Sequence, residues 1–405
     1  MKISFSPPYV DDDVINEVVD SLKSGWITTG PKVKALEDAI KTYSGSEEVL
    51  CVNSWTSGAI MILSWLGLKP GDEVIIPAYT YAATALAVIH AGGKPVMVDI
   101  CDDFNISLDK IKSAINPKTK AIIPVDIAGW PCDYNEIMDL VQQNSVQKIF
   151  VPESDVQKKL NRILVLNDAA HSFGASYNNN HIGKESDITI FSLHAVKNLT
   201  TAEGGAICLN MPSPFVNSEL YNELRMMTLN CQTKDAFTKT KAGGWKYDII
   251  GLGMKINMAD VNAAIGLAQI RKFPELMTKM MQVFNKYVDL FRNKDWGIIP
   301  PLNSELIESS YHLFTLRIAD CTEEQRNDIL TEISHSGVAV NVHFIPLPML
   351  SFFANSGYDI NNYPVAFKNY SAEISLPIYP QLNLNEIQYI IDVLEKAYKK
   401  VMSSL

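Results

Sequence analysis

Between about residues 45 and 210, short β-branched runs alternate with segments of helical periodicity. The runs Val49–Val52, Glu73–Pro77, Pro95–Asp99, Ala121–Val125, Ile163–Leu166, Ile188–Ser192 and Ala206–Leu209 read as strands. Several are apolar at successive positions, which a strand tolerates when helices cover both faces of its sheet. The expectation is an α/β fold with a mostly parallel seven-stranded sheet sandwiched by helices. Helices are expected at 56–67, 80–91, 107–115 and 133–143, with Pro70–Gly71 and Gly92–Gly93 as stops, and at 259–271.

Residues 230–250 are polar and poorly periodic, and read as a boundary or an active-site loop. Beyond them YHLFTLRI and VAVNVHFIP are strand-like, and 384–400 closes the chain with a helical pattern. This pattern divides the chain into a large domain, 1–250, and a smaller C-terminal α+β domain, 251–405. No internal repeat or low-complexity tract interrupts either.

With 405 residues, 47% of them hydrophobic and 20% charged, the chain can bury two cores without covalent staples. A net charge of -10 without Lys/Arg blocks argues against nucleic acid as a partner, because that binding depends on clustered cations. The six cysteines lack CxxC spacing and read as buried thiols of a reducing compartment. The N-terminus lacks a leader pattern and no apolar run reaches membrane-spanning length, so no membrane is expected and the cytoplasm is the expected location. The seven histidines show no paired metal-ligand spacing, and no metal is expected.

Candidate chemistry lies at strand ends. Asn167-Asp168-Ala169-Ala170-His171 follows the apolar run RILVL, which places a carboxylate on the edge where open α/β sheets bind ligands. Alone, Asp168 reads more readily as a helix N-cap. The next strand runs into Phe191-Ser192-Leu193-His194-Ala195-Val196-Lys197-Asn198, followed by a Gly204-Gly205 turn. A lone lysine is usually a solvated charge, but one held between two buried strands can lose its proton to desolvation and form a Schiff base. An acid after one strand and a lysine after the next are what pyridoxal phosphate takes from a protein. The lysine attaches it, and the carboxylate keeps its pyridine nitrogen protonated. Lys197, once freed, is also the natural base for the proton shift.

Asn53-Ser54-Trp55-Thr56-Ser57-Gly58 joins a strand to a helix and reads as a phosphate cup of hydroxyls and backbone N–H groups, or as a plain capped helix start. Ser192 can add a hydroxyl. Tyr81, after the strand EVIIP, can stack on a planar ring. Gly251-Leu252-Gly253 opens like a dinucleotide fingerprint, but Ile256 takes the third glycine's place.

These residues, with SGWITTGPKVKALE, GDEVIIPAYTYAATALAVIHAGGKPVMVDI, FSLHAVKNLTTAEGG, GMKINMADVNAAIGLAQI and SLPIYPQL in order along nearly the whole chain, resemble the sugar-nucleotide aminotransferases of the DegT/StrS group. That group has the aspartate-aminotransferase-like fold type I and depends on pyridoxal 5'-phosphate. The resemblance implies Lys197 as the Schiff-base lysine, Asp168 at the pyridine nitrogen and His171 against the ring or its phenolic oxygen. It places Thr56, Ser57 and Ser192 at the phosphate, with Tyr81 stacking. Lys255-x-Asn257 looks like the variant of UDP-4-amino-4-deoxy-L-arabinose aminotransferases and implies that Asn257 reaches a partner subunit's phosphate.

The resemblance further implies a homodimer that moves an amino group from L-glutamate to a nucleotide-linked keto-deoxysugar for surface polysaccharide, lipopolysaccharide or natural products. The expected substrate is a UDP- or dTDP-4-keto-6-deoxyhexose. A cyclitol or another small ketone, and amination at C3 rather than C4, stay open. Asp126-Ile127-Ala128-Gly129, the polar insertion 141–162 and Trp55 depart from the group's usual pattern. Lys197 argues against the group's dehydratases, which carry histidine there, and the retained site residues argue against a non-catalytic scaffold.

Overall fold

A computed structural model of the chain describes residues 1–233 and 246–403. Seven strands build the central sheet: β1 (Glu48–Val52), β2 (Glu73–Pro77), β3 (Lys94–Val98), β4 (Thr119–Ile122), β5 (Leu164–Asp168), β6 (Ile188–Ser192) and β7 (Gly205–Leu209). Their order is β1-β7-β6-β5-β4-β2-β3. Only β7 runs against the rest, pairing antiparallel with β1 and β6. All but the edge strand β3 are almost wholly buried, as their continuous apolar runs require. The β4 strand stops at Ile122, short of the expected Val125, just before Pro124.

Two helices precede the sheet, α1 (Asp12–Ser24) and α2 (Pro31–Ser44). Both α1 and α2 pack on a long helix, Asp260–Phe291, from the far half of the sequence. At its start the Asp260 carboxylate accepts from the N–H groups of Gly30 (2.8 Å), Val33 (3.0 Å) and Lys32 (3.1 Å), so a residue 230 positions away from Gly30 serves the exposed donors at the start of α2. The helix expected at 259–271 thus runs on to Phe291, through Pro274. The apolar stripe explains why: Ala263, Leu267 and Phe273 enter the core beneath the large sheet, and Met280, Phe284, Tyr287 and Phe291 continue at helical spacing into a second core.

That second core is covered by a three-stranded sheet containing Phe314–Ile318 and Glu373–Leu376 and by the helices Glu323–His335 and Leu384–Met402. VAVNVHFIP does not form the expected strand. It makes two isolated bridges, Ile3 with Val338 and Asn341 with Ser375. Side chains take the backbone donors that a ladder would use: Val342 N–H goes to Asn341 Oδ1 (2.8 Å) and His343 N–H to Glu373 Oε2 (3.0 Å).

The cysteine expectation also needs correction. Cys51, Cys132, Cys208 and Cys231 are buried, but Cys101 is exposed and Cys321 partly so, because both lie in turns rather than strands. The insertion 141–162 folds as two short helices, and Ser154 Oγ and Gln157 Nε2 donate to the Leu66 carbonyl (2.6 and 3.1 Å). The expected loop at 230–250 falls largely on 234–245, outside the described residues. No helix among the described residues is long and apolar enough to cross a membrane.

Candidate active site

The carboxyl ends of β1, β2, β5 and β6 share one edge of the sheet, and the antiparallel β7 brings its amino end to the same edge. A cavity of about 520 Å³ opens there, a size suited to a cofactor with a small substrate. Gly205 makes the edge tight: a Cβ on it would come 2.7 Å from the Ser54 carbonyl carbon and 2.8 Å from Trp55 N, so only glycine lets β7 lie against the turn that starts α3 (Trp55–Trp65).

Asp168 ends β5 on the cavity wall and is buried, at 4% exposure. Thr84 Oγ1 donates to its Oδ2 (2.9 Å) and Ala170 N–H to its Oδ1 (3.2 Å). Burial pushes its carboxyl up to about 7, against the two hydrogen bonds and the Lys197 charge. Such a carboxyl lacks one thing, a fixed positive charge.

Lys197 follows β6 on the same wall, in a turn closed by its own N–H to the His194 carbonyl (2.9 Å). Its side chain is half-buried, and desolvation brings the amine down to about 8, opposed by the Asp168 carboxylate. A substantial share of unprotonated amine near neutral pH is what a nucleophilic lysine needs.

His171 lies at 7% exposure on the cavity, its ring 5.7 Å from that of Phe344 and nearly parallel to it. Its Nδ1 accepts from Ala128 N–H (3.2 Å), and burial carries it well below the ordinary imidazole range. The ring is therefore neutral, with its proton on Nε2. The departure at 126–129 contributes directly here, because this turn supplies the Ala128 donor. Asp126 anchors the turn, accepting from Cys132 N–H (2.9 Å), Tyr134 Oη (2.5 Å) and Ser172 Oγ (2.6 Å).

Thr56, Ser192 and Tyr81 also line the cavity. The Thr56 hydroxyl has no partner among the described residues, and Ser192 Oγ accepts only a long bond from His194 N–H (3.4 Å). Both are available to a phosphate at the start of α3. Ser57 is placed differently. Its N–H goes to Ser54 Oγ (3.1 Å), the N-cap of α3, and its hydroxyl to Asn53 and Ser54, so it is engaged within the helix start and lies off the cavity lining. Tyr81 is 64% exposed, its ring 5.8 Å from Phe344 at a tilt of 46°. Asn257 bridges Val52 at the end of β1 but is not part of this chain's cavity lining: it donates to Thr29 Oγ1 (2.6 Å) and accepts from Lys255.

Sequence reasoning missed a second part of the lining, adjoining His171 and Tyr81. Phe5, His312, His343 and Phe344 line it, with Phe5 and His343 stacked at 5.4 Å. His312 and His343 are hydrogen-bonded and packed against other rings. Nothing local signals that the fold also turns them to the cavity. Thr84 carried a detectable signal, standing one helical turn after Thr80 behind the strand EVIIP, with which it shares a hydroxyl hydrogen bond (2.9 Å).

The residues present fit pyridoxal phosphate. Asp168 would hold its ring nitrogen, Lys197 its aldehyde carbon, and the hydroxyls of Thr56 and Ser192 its phosphate. When bound, the cofactor supplies a ring that withdraws electrons from the substrate carbon.

Comparison with known proteins agrees. The profile of the DegT/DnrJ/EryC1/StrS aminotransferase family matches residues 8–150 and 154–395. The chain is 36% identical over 407 residues to the uncharacterised protein MJ1066 of Methanocaldococcus jannaschii, covering 99% of this chain and 98% of the other. It is 30% identical to the spore coat polysaccharide biosynthesis protein SpsC of Bacillus subtilis, covering 98% and 97%. Spr1654 of Streptococcus pneumoniae, assigned as a sugar aminotransferase, superposes in its apo form with a TM-score of 0.95 at 40% identity, covering 100% of this chain and 99% of that one. Its PLP form superposes with a TM-score of 0.94 at 39% identity, covering 99% and 100%. The chain belongs to the DegT/DnrJ/EryC1/StrS aminotransferase family and is a pyridoxal-phosphate-dependent sugar aminotransferase.

Proposed function

We propose that this enzyme moves an amino group from L-glutamate to the keto group of a nucleotide-linked deoxysugar, a UDP- or dTDP-4-keto-6-deoxyhexose, in the cytoplasm. Lys197 attaches the cofactor and then moves the proton at the reacting carbon. Asp168 holds the proton on the ring nitrogen, His171 lies against the ring, Thr56 and Ser192 bind the phosphate, and Tyr81 flanks the ring. The observation that carries this assignment is the shared wall: a lysine amine lowered to about 8 and a buried carboxyl raised to about 7, each acting on the other's charge. The active form we propose is a homodimer, in which Lys255 and Asn257, which do not line their own cavity, serve the phosphate of the second subunit. The Ser57 hydroxyl, engaged within its own turn, supports the phosphate site from behind.

A half-reaction tests the assignment. The enzyme is converted to its pyridoxamine form with glutamate, and nucleotide keto-sugars are offered one at a time. Return of the original visible spectrum with a UDP- or dTDP-linked 4-keto-6-deoxyhexose is expected. Return only with a free cyclitol ketone overturns the substrate assignment while leaving the aminotransferase intact.

A further inference from the structure

Lys197 stands in the loop between β6 and β7, and the later part of that loop is anchored to the long helix: Thr200 N–H donates to Gln269 Oε1 (2.9 Å) and Asn262 Nδ2 to the Thr201 carbonyl (2.8 Å). The stretch around the lysine is held differently. Before it, the Lys197 N–H closes its turn on the His194 carbonyl (2.9 Å), and Ser6 Oγ makes a long bond to the Val196 carbonyl (3.4 Å). After it, the Asn198 amide reaches residues 112 and 114 positions away, donating through Nδ2 to the Ser310 carbonyl (2.7 Å) and meeting His312 Nδ1 with Oδ1 (2.9 Å). A carbonyl only accepts, so Nδ2 is committed to Ser310, Oδ1 is left for His312, and His312 carries its proton on Nδ1. Neither bond needs an ionised group.

The acceptor and donor that Asn198 uses are themselves fixed. Ser310 is fully buried, with its N–H on the Gly129 carbonyl (3.0 Å) and its Oγ on the His171 carbonyl (2.6 Å). Tyr311, between Ser310 and His312, has a left-handed backbone at φ 56°, uncommon for a bulky residue and kept where the surroundings impose it. Here Ser309 Oγ accepts the Tyr311 N–H (3.0 Å) and the Tyr311 ring packs on Phe284 at 5.2 Å. The bend brings a carbonyl and an imidazole N–H to one amide. Asn198 itself does not line the cavity, so its place next to Lys197 is not explained by contact with a ligand in this chain.

We propose that Asn198 is a positioning residue for Lys197: its amide clamps the lysine's turn to the Ser310–His312 segment, and so fixes where the amine stands in the cavity and how far water reaches it. The proposal rests on the assignment of Lys197 made above. Burial is what lowers this amine, so a looser turn returns it towards solvent and towards its ordinary value. Asp168 supplies the charge that acts on it, while burial keeps His171, His312 and His343 neutral. Asn198→Ala changes none of these charges, which leaves position and hydration as the cause of any shift.

The test takes two readouts from full-length Asn198→Ala. The pH midpoint for attachment of pyridoxal phosphate, followed by stopped-flow absorbance, is expected to rise by about one unit, which slows attachment about tenfold near neutral pH. In the holoenzyme, kcat is expected to fall roughly ten- to a hundredfold in both half-reactions, with glutamate and with a UDP-linked 4-keto-6-deoxyhexose, while both KM values stay within about twofold. Asn198→Ser, whose hydroxyl serves one partner at most, is expected to lie between wild type and Asn198→Ala, and it decides the question if Asn198→Ala does not fold. A variant that melts earlier but keeps the wild-type midpoint and kcat overturns the proposal, as does a change confined to the KM values. A wild-type protein without the cofactor's visible band defeats the Lys197 assignment itself, whereas an intact band with an unmoved midpoint defeats only this inference.

Discussion

The two walls of the cavity are made differently. One is assembled from strand ends of the large sheet within about 150 residues of chain: Thr56 after β1, Thr84 behind β2, Asp168 at the end of β5, Ser192 and Lys197 after β6. Its groups are ionisable or hydroxylic, and two of them, Asp168 and Lys197, have pKa values displaced towards neutrality. The other wall combines the extreme N-terminus with residues beyond 310, and presents Phe5, His312, His343 and Phe344. Its histidines are neutral. His312 Nδ1 is tied to Asn198 Oδ1 (2.9 Å), whose amide is oriented by Nδ2 donating to the Ser310 carbonyl (2.7 Å), and burial holds both His312 and His343 below the ordinary imidazole range. A wall of tuned charges suits one invariant reagent. A wall of neutral rings with fixed donors and acceptors suits discrimination among uncharged, hydroxyl-rich sugars, because a misplaced polar group there stays unpaired.

The contrast is tested most severely at Lys197. Lys197→Ala should lose roughly 10⁴-fold or more in turnover and lack the visible band seen with pyridoxal phosphate, since on the proposed assignment one side chain both attaches the cofactor and moves the proton. A variant that keeps the band and most of its activity breaks the assignment of this wall.

Asp168→Asn should cost on the order of 10²–10³-fold in turnover by removing charge stabilisation at the ring nitrogen. It also has a stability signature without cofactor. The folded carboxyl titrates near 7, above its unfolded value near 4, so its contribution is present below pH 4 and fades as pH rises to 7. The cofactor-free variant should therefore gain stability over wild type between pH 4 and 7, as read from paired thermal melts. A constant difference across that range would contradict the burial argument.

Cofactor attachment should accelerate with pH, because only the unprotonated amine reacts. Below the Lys197 value of about 8 the rate falls about tenfold per pH unit, and stopped-flow absorbance measures it. A midpoint near 10 would mean that the amine is solvated. The smallest effect belongs to Thr56→Ala, where one lost hydroxyl donor should weaken pyridoxal phosphate binding about three- to tenfold by titration. Ser57→Ala should weaken it less, which sharpens the distinction between a residue on the lining and one behind it.

The first wall was legible in the sequence because its chemistry is local. Asp168 and Lys197 each follow an apolar strand by a few residues, so the strand pattern alone places them at one sheet edge. The second wall was not legible, since Ser375 and Glu373 hold His343 across a gap in sequence that only folding closes. VAVNVHFIP alternates like a strand, yet its donors are taken by Asn341 and Glu373 side chains, which periodicity cannot register. The long helix runs twenty residues past the expected Arg271, because the apolar stripe through Met280, Phe284 and Tyr287 outweighs the one N–H missing at Pro274.

The carboxylate of Asp260 gives the chain an order of events during synthesis. A ribosome that has completed the first 259 residues has released every strand of the large sheet, but the N–H groups of Gly30, Lys32 and Val33 still lack their acceptor. The long helix that buries the flanks of α1 and α2 has not yet begun. A truncation before residue 260 therefore strips α1 and α2 of the long helix they lie on and the start of α2 of its acceptor, leaving α2 only its contact with β1 and the core beside it.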